Sequence, residues 1–210
     1  MSTAVSVYLI GAQCTGKTTL LAALRETIKL KYPSSPFSAV TEVARDVLSQ
    51  NQFTREDITS NPDRALQLQQ LILTAQFEKE TKLAHSMILS DRSGVDPIVY
   101  GVQYGPPRAQ KLLEKSLGWP FLRDRMKRSL VFVCPPHKEW STDDGTRLMA
   151  DSWEEWYNVH LTFARVLQEN DIPFYVIPME LVDLEDRVDY VLNMWKVYGN
   201  PATRISMHIE

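Results

Sequence analysis

The sequence is short of several things, and each shortage excludes something. Only two cysteines, Cys14 and Cys134, stand in 210 residues, too few and too far apart for a disulfide framework or a structural zinc site. The four histidines, His85, His137, His160 and His208, fall at no metal-binding spacing. No apolar stretch approaches the roughly 20 residues that span a bilayer. Basic residues do not exceed acidic ones, 23 against 26, so the formal net charge is −3 and nothing marks a general nucleic-acid binder. There is no internal repeat and no low-complexity linker. An apolar run begins at Val5, which leaves no room for a signal peptide ahead of it. The expectation is a cytoplasmic protein whose partner is a small molecule, with neither membrane nor nucleic acid involved.

What is present suits one α/β domain over residues 1–210. The apolar fraction is 44% and the charged fraction 23%, ordinary values for a chain that buries a real core. Residues 5 to 19 read VSVYLIGAQCTGKTT. An apolar strand ends in Gly11, and Gly16, Lys17 and Thr18 follow at the spacing G-x-x-x-x-G-K-[ST] of a P-loop, between a strand and a helix. Glycines let the backbone curl so that successive N–H groups converge on phosphate, and the following helix aims its positive end at the same point. Gly11, Ala12, Gln13, Cys14, Thr15, Gly16, Lys17, Thr18 and Thr19 are therefore expected to cradle ATP. Lys17 reaches the β- and γ-phosphates and the Thr18 hydroxyl holds Mg²⁺. No [NT]KxD guanine-reading segment is present, which favours ATP over GTP.

Strands and helices then alternate, the pattern of a parallel sheet covered on both faces. Helices are expected over 18–31, from Thr41 through TEVARDVLSQ, from an Asn61-Pro62 start to about His85, over 95–103, from about Arg108 through Arg128, over 151–170 with Asp151 or Ser152 as cap, and over 184–197. Strands are expected at 37–40, 87–90, 130–134 and 174–177, and 51–61 reads as a polar connection. The helix after Asn61 is dense in glutamine away from its apolar side (Gln67, Gln69, Gln70, Gln76).

In such a sheet ligands gather beyond the carboxyl ends of the strands, and each strand here ends in something polar. Asp91 follows MILS and suits the Walker B position, an acid that helps hold Mg²⁺; the alternative is a strand-end aspartate capping a turn. Arg92 either grips the transferring group or makes a surface ion pair. Glu42 is a general-base candidate, or an acid favouring its own helix N-terminus. Asp96 and Tyr100 share a helix face and either line an acceptor pocket or divide into a solvated acid and a core tyrosine. Arg147 lies in a polar loop, about 137–150, suited to close as a lid and bring a cation to the transition state. Asp143 and Asp144 in that loop read as solvated. Trp153, Trp156 and Tyr157 read as helix packing, and Arg123 to Arg128 as a solvated helix end.

The segments GAQCTGKTT, TEVARDVL, LSDRSGVDPIVYG and DDGTR, in that order, resemble the AAA-type ATPase domain family related to the ribosylnicotinamide kinase domain of bacterial NAD regulators. The E-x-x-R of Glu42 and Arg45 and the D-R-S step are also similar to deoxynucleoside kinases. The resemblance implies a P-loop NTPase fold with sheet order 2-3-1-4-5, an acceptor pocket over the second and third helices to which Glu42, Arg45, Asp96 and Tyr100 are assigned, and a lid after strand 4. It puts Asp91 and Arg92 at the active centre and Arg147 in the lid. No adenylyltransferase domain is read in these 210 residues, so the bifunctionality of the bacterial regulators is not expected. The reaction expected is transfer of the γ-phosphoryl group of ATP to a hydroxyl of a nucleoside-like or other small metabolite, with Lys17, Glu42, Asp91, Arg92 and Arg147 catalytic. The alternatives are a nucleotide-hydrolysing regulatory protein and a nucleotide sensor without turnover.

Overall fold

A computed structural model describes residues 5–41, 43–140 and 152–199. Five strands, β1 (Val7–Ile10), β2 (Ser38–Val40), β3 (Ile88–Asp91), β4 (Leu130–Val133) and β5 (Tyr175–Val176), form one sheet in the order β2-β3-β1-β4-β5. Every pairing is parallel; β1 lies centrally, with Leu9 opposite Asp91 on one side and Phe132 on the other. The four residues of β1, β3 and β4 are all buried. That is why β1 (VYLI) and β4 (LVFV) read as continuous apolar runs rather than alternating ones, while β3 (ILSD) ends in the polar Ser90 and Asp91.

Nine α-helices lie among the described residues. Helices α1 (Lys17–Lys31) and α9 (Leu184–Gly199) cover one face, where Leu20, Leu21, Leu24 and Ile28 meet Val188, Val191, Leu192 and Trp195. The other face carries α4 (Pro62–Thr81), α5 (Val95–Tyr104), α6 (Ala109–Glu114), α7 (Trp119–Lys127) and α8 (Trp153–Glu169). Helices α2 (Val43–Asn51) and α3 (Arg55–Ser60) pack on α4 through Val47, Ile58, Leu68 and Ile72.

Local signals explain most boundaries. Asn61 accepts from the Arg64 N–H ahead of Pro62, and Ser152 accepts from the Glu155 N–H at the start of α8, as N-caps do. Two expectations need correction. The connection 51–61 contains α3, whose Thr54 and Asp57 form a reciprocal capping box; the polar composition concealed a two-turn helix. The helix expected from Arg108 to Arg128 is two, broken at 115–118, where a Cβ on Gly118 would stand 2.5 Å from the Phe77 ring.

The basic cluster on α7 also differs from a solvated helix end. Arg125 is buried. It donates to the carbonyls of Glu80 (3.1 Å), Leu83 (3.0 Å) and Ser86 (2.8 Å), tying down the chain between α4 and β3. Its Nε lies 3.5 Å from Glu80 Oε2. Glu80 is fully buried and also accepts from Tyr8 Oη (2.5 Å) and Gln76 Nε2 (2.8 Å). Burial pushes its carboxyl up, against the pull of those hydrogen bonds and of Arg125.

Candidate active site

The loop after β1 turns on residues in unusual backbone conformations. Gly11 (φ 134°), Cys14 (55°) and Gly16 (73°) all have positive φ. At Gly11 the requirement is steric as well, because a Cβ there would lie 2.6 Å from the Cys134 carbonyl oxygen. Gly16 precedes α1 and supplies no side-chain cap, so the first N–H groups of α1 stay available to an anion. Lys17 is buried and folds back over the loop, donating to the Ala12 carbonyl and, at 2.9 Å, to Thr15 Oγ1. Burial, reinforced by nearby Arg92, pushes its amine down to about 8, with Asp91 pulling the other way. The loop is braced from α8, where Trp156 Nε1 donates to the Gln13 carbonyl at 2.9 Å. Trp156 is thus the packing residue expected, and it also fixes the phosphate loop.

β3 delivers Asp91 beside this loop. Thr18 Oγ1 donates to Asp91 Oδ2 at 2.6 Å, while Asp91 Oδ1 is buried with no hydrogen-bond partner among the described residues. A threonine hydroxyl, a carboxylate in contact with it and a free carboxylate oxygen form a hard oxygen donor set that suits Mg²⁺ once phosphate oxygens join it.

The turn after Asp91 is held by a closed set of bonds. Arg92 has φ 77°, a conformation that costs a non-glycine residue energy. Its N–H donates to the Leu9 carbonyl (2.9 Å) and its carbonyl accepts from Ser90 Oγ (2.7 Å). Asp96 is buried, not the solvated first-turn acid that was one reading of it. It accepts from the Ser93 N–H (2.7 Å), the Ser93 hydroxyl (3.1 Å) and Arg92 Nη1 (3.1 Å). Burial pushes its carboxyl up, against Arg92, Lys17 and the Ser93 bonds. Asp96 therefore aims Arg92, whose guanidinium also lies 5.7 Å from the Tyr100 ring centre. Tyr100 Oη donates to Gln13 Oε1 at 2.9 Å, which leaves the buried Gln13 Nε2 unpartnered.

These groups border one pocket of about 210 Å³, lined by residues 13–19 on one side and by Asp91, Arg92, Ser93, Asp96, Pro97 and Tyr100 on another. Val43, Leu48, Ile58, Leu68 and Ile72 provide apolar walls from α2, α3 and α4, and Arg45 lines it as well. Gln69 and Gln76 were read as lying away from the apolar side of α4. Instead both are buried and face the pocket. Gln76 Nε2 donates to Glu80 Oε1 at 2.8 Å. The sequence signal was available: 69 and 76 are seven apart and fall on the side of α4 that carries Leu66 and Leu73.

Of the predicted site residues, the fold brings together the whole P-loop, Asp91, Arg92, Asp96, Tyr100 and Arg45. Glu42, Arg147 and most of the expected lid lie outside the described residues. Arg187 was not anticipated. It is buried, and its Nη2 donates to the Thr15 carbonyl at 3.1 Å. Its signal was a charge on the apolar stripe of α9, next to Val188 and one turn from Val191.

An AAA domain family model matches residues 6–187. The chain belongs to that family. No curated protein matches it in sequence. Among solved structures, a NadR protein in complex with NR is similar with a TM-score of 0.67 and 22% identity, over 92% of this chain and 52% of that one. This chain thus spans about half the length of NadR. Deoxyadenosine kinase from M. mycoides, with the products dCMP and dCDP bound, is similar with a TM-score of 0.64 and 15% identity, over 91% and 98%. Thymidylate kinase from Ehrlichia chaffeensis follows at 0.55 and 15%, over 92% and 99%. At these identities the likeness shows the fold alone, a P-loop NTPase fold, and the sheet order β2-β3-β1-β4-β5 is the one expected. Among the described residues, no helix is long and apolar enough to cross a membrane.

Proposed function

We propose that this protein is an ATP-dependent small-molecule kinase, moving the γ-phosphoryl group to a hydroxyl of a nucleoside-like or other small metabolite. The observation that carries the reading is the two-sided cleft. An uncapped helix N-terminus with Lys17 and the Thr18–Asp91 pair forms one side, and it opens into a walled apolar pocket that water alone does not require. The phosphotransferase fold of its neighbours supports it.

In this reading the P-loop N–H groups hold the β- and γ-phosphates, and Lys17 exchanges its two loop oxygens for theirs. Thr18 and Asp91 would hold Mg²⁺, which supplies charge neutralisation on the phosphates when bound. The acceptor hydroxyl enters from the α2–α4 side, and Glu42 or Asp91 orients it and takes its proton. As its oxygen bonds to the γ-phosphorus, the bond to the β-bridging oxygen breaks and ADP departs. Arg92, aimed by Asp96, stabilises the charge on the transferring group, and Arg147 joins it from the loop after β4. Arg45 and Tyr100 complete the acceptor wall.

The test is incubation with labelled ATP, first alone and then with a panel of nucleosides and small alcohols. Label transfer that depends on one acceptor establishes the kinase. Hydrolysis unaffected by any acceptor would establish the regulatory NTPase, and tight binding without turnover the sensor.

A further inference from the structure

One side chain of the phosphate loop is held by another side of the pocket. Gln13 stands where the G-x-x-x-x-G-K-[ST] spacing prescribes no residue type. It is the only amide among residues 13–19, all of which line the pocket, and it is 5% exposed. Its backbone and its side chain are both anchored outside the loop. The backbone carbonyl accepts from Trp156 Nε1 at 2.9 Å, and Oε1 accepts from Tyr100 Oη at 2.9 Å.

The groups around Tyr100 fix which way the amide faces. Asp96 accepts from Arg92 Nη1 at 3.1 Å, and the guanidinium lies beside the Tyr100 ring. Burial pushes the pKa of the Tyr100 hydroxyl up, against the pull of Arg92, so the phenol keeps its proton. A guanidinium has no lone pair to accept that proton. Gln13 Oε1 takes it, and Nε2 is the end of the amide left over. Nε2 is buried, with no hydrogen-bond partner among the described residues. A dry, unanswered donor is unfavourable and calls for an acceptor. Asp91 Oδ1, on the same pocket, is the opposite case, an unanswered acceptor that suits a cation.

The chemistry of the transfer says which oxygen meets Nε2. A hydrogen bond donated to the acceptor hydroxyl would draw electron density from the oxygen that has to attack. The same bond donated to an oxygen of the transferring group answers the charge that sits there. We propose that Gln13 is a catalytic residue whose Nε2 donates to an oxygen of the γ-phosphoryl group, with Tyr100 the positioning residue that turns its amide that way. The inference rests on the donor site of the proposed function and not on the identity of the acceptor. It gives Tyr100, expected to line the acceptor pocket, a role on the donor side.

Calorimetric titration of the full chain with Mg²⁺ and ADP, and separately with Mg²⁺ and AMP-PNP, tests it. AMP-PNP keeps a γ-phosphoryl group, and because no acceptor is added, failure of the kinase reading does not enter the result. Gln13→Leu removes the amide at similar volume and is expected to weaken AMP-PNP about tenfold while ADP stays within about twofold. Gln13→Glu sets a carboxylate against the phosphoryl oxygens and is expected to weaken AMP-PNP further still. Tyr100→Phe frees the amide to rotate and is expected to weaken AMP-PNP about threefold, with ADP unchanged. Equal losses for the two nucleotides would show that Gln13 only braces the loop, and overturn the proposal; so would AMP-PNP binding that Gln13→Leu leaves unchanged. Should Gln13→Leu not fold, Gln13→Glu decides by the same comparison. A wild-type chain that binds neither nucleotide overturns the donor site and this contact with it, whereas loss of the selective effect overturns the contact alone.

Discussion

The two sides of the cleft are built on opposite principles. The phosphate side is almost all backbone and charge: a curled loop, an uncapped helix end, Lys17, and the Thr18–Asp91 contact at 2.6 Å. Its affinity comes from fixed dipoles, which bind any phosphate chain of the right length. The other side, read as the acceptor side, is apolar walls from three helices plus the amides of Gln69 and Gln76 and the Arg45 side chain, and its Arg92–Asp96 ion pair is closed upon itself. Neutral amides beside apolar walls discriminate by shape and hydrogen-bond pattern, because an unmatched amide left dry costs free energy. In the proposed reaction one side supplies rate and the other selectivity, and substitutions should separate them.

The largest effect belongs to the phosphate side. Lys17→Ala is expected to lower turnover by about a hundred- to a thousandfold with the fold intact, checked by single-turnover kinetics beside a melting curve. A variant that phosphorylates its acceptor at the normal rate would end the assignment of this side to catalysis.

Next is the support under the acceptor side. Gln76 is held by Glu80, and Glu80 is answered by Arg125. Arg125→Met leaves a buried carboxylate without its cation and three carbonyls without a donor. A loss of about 3–5 kcal/mol is expected, read from urea unfolding. A loss under about 1 kcal/mol would mean that the network does not support the pocket.

Gln69 sharpens the contrast, since it is buried at the pocket and its amide has no hydrogen bond among the described residues. Gln69→Leu should raise the acceptor KM about tenfold while donor binding and stability stay within error. Equal changes in both KM values would dissolve the division between the two sides.

The smallest effect concerns α8, the helix that braces the P-loop through Trp156. His160 on that helix is nearly buried with Nδ1 unpartnered, and burial lowers its pKa below the ordinary 6.5. Below about pH 6.5 the unfolded chain takes up a proton that the folded one resists, so stability is full above that value and declines as pH falls further. His160→Gln is expected to remove part of this acid decline. Superimposable pH–stability curves for the two proteins would contradict it.

Much of this was legible in the chain because it is local. The P-loop spacing, the Asn61-Pro62 start and the Ser152 cap act over a few residues, and the buried strands announce themselves as apolar runs. The sequence by itself therefore determined the parallel α/β architecture, the phosphate loop and the nomination of Asp91, Arg92, Asp96 and Tyr100. Helical spacing already put Gln69, Gln76 and Arg187 on apolar faces, and only the tertiary structure decided what they meet there. Gln69 and Gln76 face the pocket because α2 and α3 close over α4. Arg125 is buried because α7 lies against the end of α4, and Arg187 meets Gly16 because α9 packs along α1. Such roles depend on partners tens of residues away or more, and no periodicity within a single helix encodes what its neighbour will present. The phosphate loop GAQCTGKTT is written in one stretch, whereas the pocket beside it and the Arg187–Thr15 contact exist only once the helices have docked.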